Sequence, residues 1–284
     1  MTRFAVVGHV EWITFARVDR VPAAGAIAHA TETWSGAGGG GGVSAVQLAK
    51  LSGTCDLFTA LGDDEVGRRA AAELDAAGVI VRALTRGEPT RQAVCLVDAG
   101  GERTITTLGP RLEPRGSDPL PWADLGSTDA VYVTAGDEEA IRLARAARVL
   151  VVSTRHVATL AASGVRADVV VGSASDRHES YDPEVLAHAP PGLVVSTEGA
   201  AGGRFETADG ETGRWDPAPL PGPVSDTYGS GDSFQAGLTF ALGAGAGITD
   251  ALELAARCGA TALTGRGPTG GQLTAEDLDP SRDP

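Results

Sequence analysis

The chain has little of several things, and each scarcity narrows what it can be. Its 284 residues include three cysteines, one methionine and 5% aromatics. Cys55, Cys95 and Cys258 are odd in number and far apart, with no C-x-x-C pair. That excludes a disulfide framework and points to a reducing, cytoplasmic setting. The five histidines show no H-E-x-x-H or other zinc spacing. No apolar run approaches the roughly 18 residues of a membrane helix, and the apolar stretch before Glu11 is too short for a signal peptide. Positive charge is scarce as well. The 23 Lys and Arg against 37 Asp and Glu leave a formal net charge of −14, which argues against nucleic acid or an anionic membrane as partner. A local pocket of amides, Mg²⁺ and one or two arginines can still override that field and hold ATP.

What is present is a core: 42% of the residues are apolar, mostly Ala, Val and Leu, which suits helices laid on a parallel sheet. Short Val-rich runs alternate with Ala/Leu-rich helical ones. Strands are predicted at 4–8, 57–61, 79–84, 130–134, 149–153, 168–171 and 193–196, and helices at 44–51, 66–77 and 138–147. The order predicts an open, mainly parallel α/β sheet with helices on both faces. Two segments break the rhythm. Residues 11–34 and 90–108 carry strand-like runs around Gly-containing turns and no helical period, so they read as a small extra sheet on a single domain spanning 1–284. Residues 277–284 read as a frayed tail.

Two glycine-rich segments could carry chemistry. In Asp226-Thr227-Tyr228-Gly229-Ser230-Gly231-Asp232-Ser233-Phe234-Gln235-Ala236-Gly237, a glycine turn opens into a helix marked by Phe234, Leu238 and Leu242. Free amides and the positive dipole end at a helix start make an anion site, and glycine lets backbone approach a phosphate closely. Asp232 at that end is either a catalytic carboxylate or a helix N-cap. The second segment, Gly36 to Gly42, formally satisfies G-x-G-x-x-G. A glycine tract matches that pattern almost automatically, and the polar run before it counts against a nicotinamide-binding βαβ unit. No Gly-Lys-Ser/Thr follows, which excludes a Walker loop. A close backbone approach to a ligand or another segment remains.

The order of segments resembles the ribokinase-like (PfkB) family of carbohydrate kinases nearly end to end. Val6-Val7-Gly8, the glycine tract, Leu61 to Gly67, Thr90 with Gly101-Glu102-Arg103-Thr104-Ile105, Asp129 to Val133 and Ser196 to Gly203 match in order. Asp226 to Gly237 resembles the family's D-T-x-G-A-G-D-x-F-x-x-G signature most closely. The resemblance implies a small β lid, formed by the two odd segments, over a site for a sugar or nucleoside. It implies ATP-dependent phosphoryl transfer to a hydroxyl, with Mg²⁺ on the phosphates. Gly229, Ser230 and Gly231 would form the anion hole and Asp232 would be the base. Thr197, Gly199, Gly202 and Cys258 would line the nucleotide. Glu11, Gly39, Gly40, Gly41 and Arg103 would meet the acceptor. Asp176 would serve Mg²⁺, and Asp226 a monovalent cation such as K⁺, as in some members. Homodimerisation through the lid also follows from the resemblance.

The chain departs from the family's pattern where the acceptor should bind. Ile13 stands where an acid is usual, and Val43 where an Asn is. Ser173-Ala174-Ser175-Asp176 replaces Asn-x-x-Glu. These departures leave room for a non-catalytic ligand-binding protein on the same fold. Losing hydrogen-bonding partners from a sugar pocket, with Trp12 and Trp34 nearby as stacking walls, predicts an acceptor with few recognised hydroxyls or with an apolar or aromatic part.

Overall fold

The computed structural model describes residues 2–278. Strand β1 (Phe4–Val7) is followed by an excursion into β2 (Glu11–Arg17) and β3 (Glu32–Gly38). The chain returns through α1 (Gly39–Ser52), β4 (Cys55–Gly62), α2 (Glu65–Ala76) and β5 (Val79–Arg86). A second excursion makes β6 (Gln92–Val97) and β7 (Arg103–Leu108). Then come β8 (Ala130–Val133), α3 (Glu138–Ala144), β9 (Val149–Ser153), α4 (Val157–Ser163), β10 (Val169–Ser173) and β11 (Leu193–Thr197). A hairpin, β12 (Gly203–Thr207) and β13 (Thr212–Trp215), precedes the last helices, α5 (Ser230–Gly243) and α6 (Ile248–Ala262).

The nine-stranded sheet runs β13-β12-β11-β10-β9-β8-β1-β4-β5, and the two excursions pair in a separate four-stranded sheet, β3-β2-β6-β7. All pairings from β11 to β5 are parallel; β12 runs antiparallel to both β11 and β13. The main sheet is covered on both faces, and successive residues along its strands point to opposite sides. Val6, Leu57, Tyr132 and Val171 pack with Val46, Leu48 and Leu74 and with Phe234, Leu238 and Ala255 of α5 and α6. Their neighbours Val7, Phe58, Val131 and Val170 pack with Ile141, Leu160 and Trp122 on the other face.

Most of the expected elements form with shifted ends; four features differ. The helix expected at 44–51 begins at Gly39, inside the glycine tract. Glycine disfavours a helix interior by up to ~1 kcal/mol per residue relative to Ala, so tertiary contact sets this start. A Cβ on Gly8 would lie 2.6 Å from Gly41 Cα, and one on Gly41 2.7 Å from the Gly8 carbonyl carbon. Backbone meets backbone there, and only glycine fits. The helices α4 and α6 and the β12–β13 hairpin have no counterpart among the expected elements. Of the tail, Asp277 and Leu278 belong to a short 3-10 turn, and 279–284 lie outside the described residues.

The lid is rooted by Asp64, which caps α2 by accepting from Gly67 N at 2.7 Å and also accepts from Thr90 N at 2.7 Å and Thr90 Oγ1 at 2.8 Å. Burial would raise its pKa, but these donors and Arg68 more than offset that and hold it below the ordinary aspartate value. Gly62 and Gly67 permit the approach: a Cβ on Gly62 would lie 2.4 Å from Thr90 N, and one on Gly67 2.6 Å from Gly62 O. At the other end of the chain α5 and α6 touch through Gly237, where a Cβ would lie 2.7 Å from Cys258 Sγ and 3.1 Å from Ala255 Cα. Gly237→Val is therefore expected to destabilise the protein by about 1–3 kcal/mol through overpacking. Thermal denaturation at fixed scan rate should show a lower Tm; an unchanged Tm would contradict this contact.

Candidate active site

The carboxyl ends of parallel strands are where open α/β sheets bind ligands. Here the two glycine segments converge on those ends. Gly229 takes a left-handed turn (φ 78°) and caps α5, with no side-chain cap. The first helical bond is Ser233 N to Gly229 O at 2.8 Å, so the amides of Ser230, Gly231 and Asp232 precede it. They are free to face an anion.

Asp232 is in the first turn of α5 and is not its N-cap. Among the described residues its carboxylate has no hydrogen bond or ion pair, since the one bond made to Asp232 comes from Ser44 Oγ to its backbone oxygen at 3.2 Å. A Cβ placed on Gly40 would lie 3.2 Å from Asp232 Oδ1 and 2.8 Å from Thr134 Oγ1. The missing side chain leaves space between a carboxylate, a hydroxyl and a helix start. Burial raises the Asp232 pKa, and the charge of Glu179 adds to the rise, while Arg103, His9 and Arg155 oppose it.

The turn before α5 is tied from several sides. Gly39 N donates to Tyr228 Oη at 3.0 Å, linking the start of α1 to the turn before α5. Gln272 Nε2 donates to Val43 O at 2.9 Å and Ser233 Oγ at 3.2 Å. Asp226 is buried and accepts from Tyr228 N at 2.7 Å and Gly267 N at 3.1 Å. Among the described residues no cationic side chain pairs with it. The lid closes on the same turn: Arg17 Nη2 donates to Ser225 O at 3.2 Å, and Arg103 Nη1 donates to Thr227 O.

Several residues take places other than those expected. Arg103 is committed to Thr227 and to the Tyr228 ring, 5.8 Å away, which makes it a strut between lid and turn. Cys258 is fully buried between α6 and α5, so it offers a nucleotide no surface. Gly202 serves a turn (φ 77°) pressed on β13, where a Cβ would lie 2.0 Å from Trp215 O. Thr197 ends β11 and Gly199 is exposed beside it. Trp12 packs into the main core under Arg69, and Trp34 stacks on Phe15 with Arg266 over it. Neither tryptophan is free to wall an acceptor. Ile13 and Val43 pack together in the lid core.

Other residues at the site carry no motif. Arg155 holds Glu179 at 2.7 Å and Asp176 at 2.5 Å. Glu179, three residues past Asp176, is the acid whose charge reaches Asp232. Glu11 is buried with His9 Nε2 and Arg91 Nε each 3.4 Å away. Burial would raise its pKa, but His9, Arg91 and Arg111 together lower it. Among the described residues no three His, Cys, Asp or Glu side chains form a metal cage. The donors suit Mg²⁺ that keeps water and nucleotide phosphate as ligands, with at most one or two carboxylates.

The comparisons agree with this geometry. The model of the pfkB family carbohydrate kinases matches residues 1–275. The chain belongs to that family, whose members are phosphotransferases with an alcohol as acceptor. It is 28% identical over 273 residues to an ATP-dependent ribose-1-phosphate kinase of Halopiger xanaduensis, covering 92% of this chain and 91% of that one. It is 29% identical over 266 residues to an aminoimidazole riboside kinase of Salmonella typhimurium, covering 80% and 82%. The fold is that of Arabidopsis thaliana ribokinase solved with ribose and ATP, with a TM-score of 0.77, 20% identity and 98% and 97% coverage. Among the described residues no helix is long and apolar enough to cross a membrane.

The raised pKa of Asp232 has a kinetic consequence. As a base, Asp232 would have to be ionised, and activity would then fall as pH drops through that raised value, above the ordinary 3.8. Glu179→Gln removes one cause and should move the acid limb of the kcat–pH profile to lower pH. An unmoved limb would show that Glu179 does not act on Asp232.

Proposed function

We propose that the protein transfers the γ-phosphoryl group of ATP to a hydroxyl of a small acceptor built on a ribosyl or similar ring. The observation that carries this reading is the unpartnered, half-buried Asp232 carboxylate beside the free amides of Ser230, Gly231 and Asp232 and the open space over Gly40. The names of the two relatives share a ribosyl acceptor and differ in what else it carries.

Phosphoryl transfer asks for in-line positioning and charge neutralisation more than for covalent help. The acceptor hydroxyl sits between Asp232 and Thr134 over Gly40, Gly39 and Gly41. Asp232 takes its proton as the oxygen bonds to the γ-phosphorus, and the bond to ADP breaks. The amides of Ser230 and Gly231 at the α5 start receive the charge that spreads over the transferring oxygens. Mg²⁺, when bound, neutralises the phosphates. Asp176 and Glu179 stand on that side, held by Arg155. Thr197 and Gly199 border the nucleotide. Asp226, buried without a cationic partner, suits a monovalent cation such as K⁺ under the anion-hole turn. A reducing, cytoplasmic setting fits three buried free thiols.

The lid also supports self-association. β7 is an edge strand exposed along its whole length, and Val94, Ile105 and Leu108 present apolar surface there (37%, 38% and 48% exposed). An open, partly apolar sheet edge favours pairing with another strand, and a second lid is the fitting partner. Light scattering should give twice the monomer mass at micromolar concentration, reduced by Ile105→Lys; a wild-type monomer would contradict the lid dimer.

Asp232→Asn is expected to leave ATP binding intact while turnover drops by about 10²-fold or more. Calorimetric titration with ATP beside ADP-release kinetics checks both halves. Near wild-type turnover would remove Asp232 from the base role.

A further inference from the structure

A loop outside the sequence motifs joins the lid to the turn before α5. It spans residues 263–274, between α6 and the last 3-10 turn. The loop closes on itself: a Cβ on Gly265 would lie 2.0 Å from Gly271 N, and one on Gly271 2.5 Å from Gly265 N. Helix α1 anchors it, with Lys50 Nζ donating to Thr269 O at 2.5 Å and Gln47 Nε2 donating to Leu273 O at 2.8 Å. Backbone contact at its neck makes the loop a compact body that shifts as one piece.

One side of the loop holds the turn. Gly267 N donates to Asp226 Oδ2 at 3.1 Å, Gln272 Nε2 donates to Ser233 Oγ at 3.2 Å, and a Cβ on Gly229 would lie 2.9 Å from Pro268 O. Another side meets strand β3 of the lid. Arg266 Nη1 lies 2.8 Å from Glu32 Oε1, and its guanidinium sits 4.4 Å from the centre of the Trp34 ring. A Cβ on Gly267 would lie 3.1 Å from Trp34 Nε1, and one on Gly36 3.5 Å from Pro268 Cδ. Gly267 and Pro268 thus meet the turn and the lid strand at once. Strand β3 runs straight into Gly39 and Gly40, beside the open space that Asp232 faces. Arg17 and Arg103 tie the lid to Ser225 O and Thr227 O, on the approach to the turn. Arg266 works the other way, from the loop behind the turn out to the lid. It is 46% exposed and Glu32 44%, so their pair contributes little to stability. A planar guanidinium can nonetheless pair with a carboxylate and lie over an aromatic ring together, which gives the contact a defined geometry.

We infer that Arg266 is a positioning residue that couples the lid to the anion-hole turn. Nucleotide held at the turn orders β3 beside the acceptor, and a lid seated on acceptor steadies the turn. The inference rests on the reading of that turn as the place where the phosphates of ATP bind. By linkage the effect is reciprocal, each ligand tightening the other by the same factor. The amides that receive the phosphoryl group and the glycine floor under the acceptor are then set together, through one exposed guanidinium.

Hydrogen exchange of residues 32–38, read by mass spectrometry on the intact protein with and without saturating Mg-ATP, tests the coupling. Mg-ATP alone should slow exchange there by about 5-fold or more in the wild type. Arg266→Gln should abolish that slowing while calorimetric titration still shows ATP binding. Glu32→Gln, which cuts the same pair from the lid side, should act as Arg266→Gln does. Arg266→Lys keeps the charge and loses the planar stack, so it should restore part of the slowing. Lys50→Gln loosens the same loop from α1 and leaves the lid contact, so it should keep the slowing. Slowing that persists in both Arg266→Gln and Glu32→Gln, or that Lys50→Gln abolishes equally, would overturn the inference. So would its absence from wild-type protein that binds ATP, with the kinase reading left standing. An Arg266→Gln protein of unchanged Tm that no longer binds ATP would also overturn it, since Arg266 would then be a nucleotide ligand. Wild-type protein that binds no ATP would remove the kinase reading and the inference with it.

Discussion

The site depends on one constraint, the close approach of two glycine-rich turns. Gly8 and Gly41 touch backbone to backbone, which brings the start of α1 onto the end of β1. The Tyr228 hydroxyl then accepts from Gly39 N and fixes the turn before α5 against it. Gly40 faces Asp232 and Thr134 as a result. A side chain at Gly8 or Gly41 would force the start of α1 away from the end of β1, and the carboxylate would lose the open space it faces. The lid rests on the same turn through Arg17 and Arg103, so the position of the lid and the shape of that turn are mechanically linked.

Charge is arranged locally against an unfavourable whole. In a chain with a net charge of −14, free helix amides and arginines are gathered locally at the candidate site. Arg155 neutralises Asp176 and Glu179 near the nucleotide side, yet Glu179 still helps raise Asp232. On the acceptor side, Arg91 and His9 share the single carboxylate of Glu11. The two sides differ in kind. One has acids held by a cation, and the other has an acid between an arginine and an imidazole.

Much of this was legible in the sequence because it is written in periodicity and glycine. The alternation of strands and helices, the two lid segments and the Asp226–Gly237 turn follow from local pattern. The start of α1 inside the glycine tract was not legible, because contact with Gly8 and His9 overrides a poor helix propensity. The β12–β13 hairpin escaped notice because its strands are half exposed and polar, although Asp209-Gly210 marks its turn. For α6 the signal was present: Leu252, Ala255 and Cys258 form one buried face. Arg91, Arg155 and Glu179 belong to no motif; segments distant in sequence bring Arg91 to Glu11 and Arg155 to Glu179. Arg103, Cys258, Trp12 and Trp34 were legible as residues but not as contacts, and it is their packing partners that remove them from the pocket.

The most direct test is to follow the phosphorus itself. The purified protein, Mg-ATP and ribosyl acceptors observed by phosphorus NMR should show a new phosphomonoester resonance growing one for one with ADP. ATP bound to the protein with no such resonance for any ribosyl acceptor, phosphorylated or not, would contradict the account and leave a ligand-binding protein on a kinase fold.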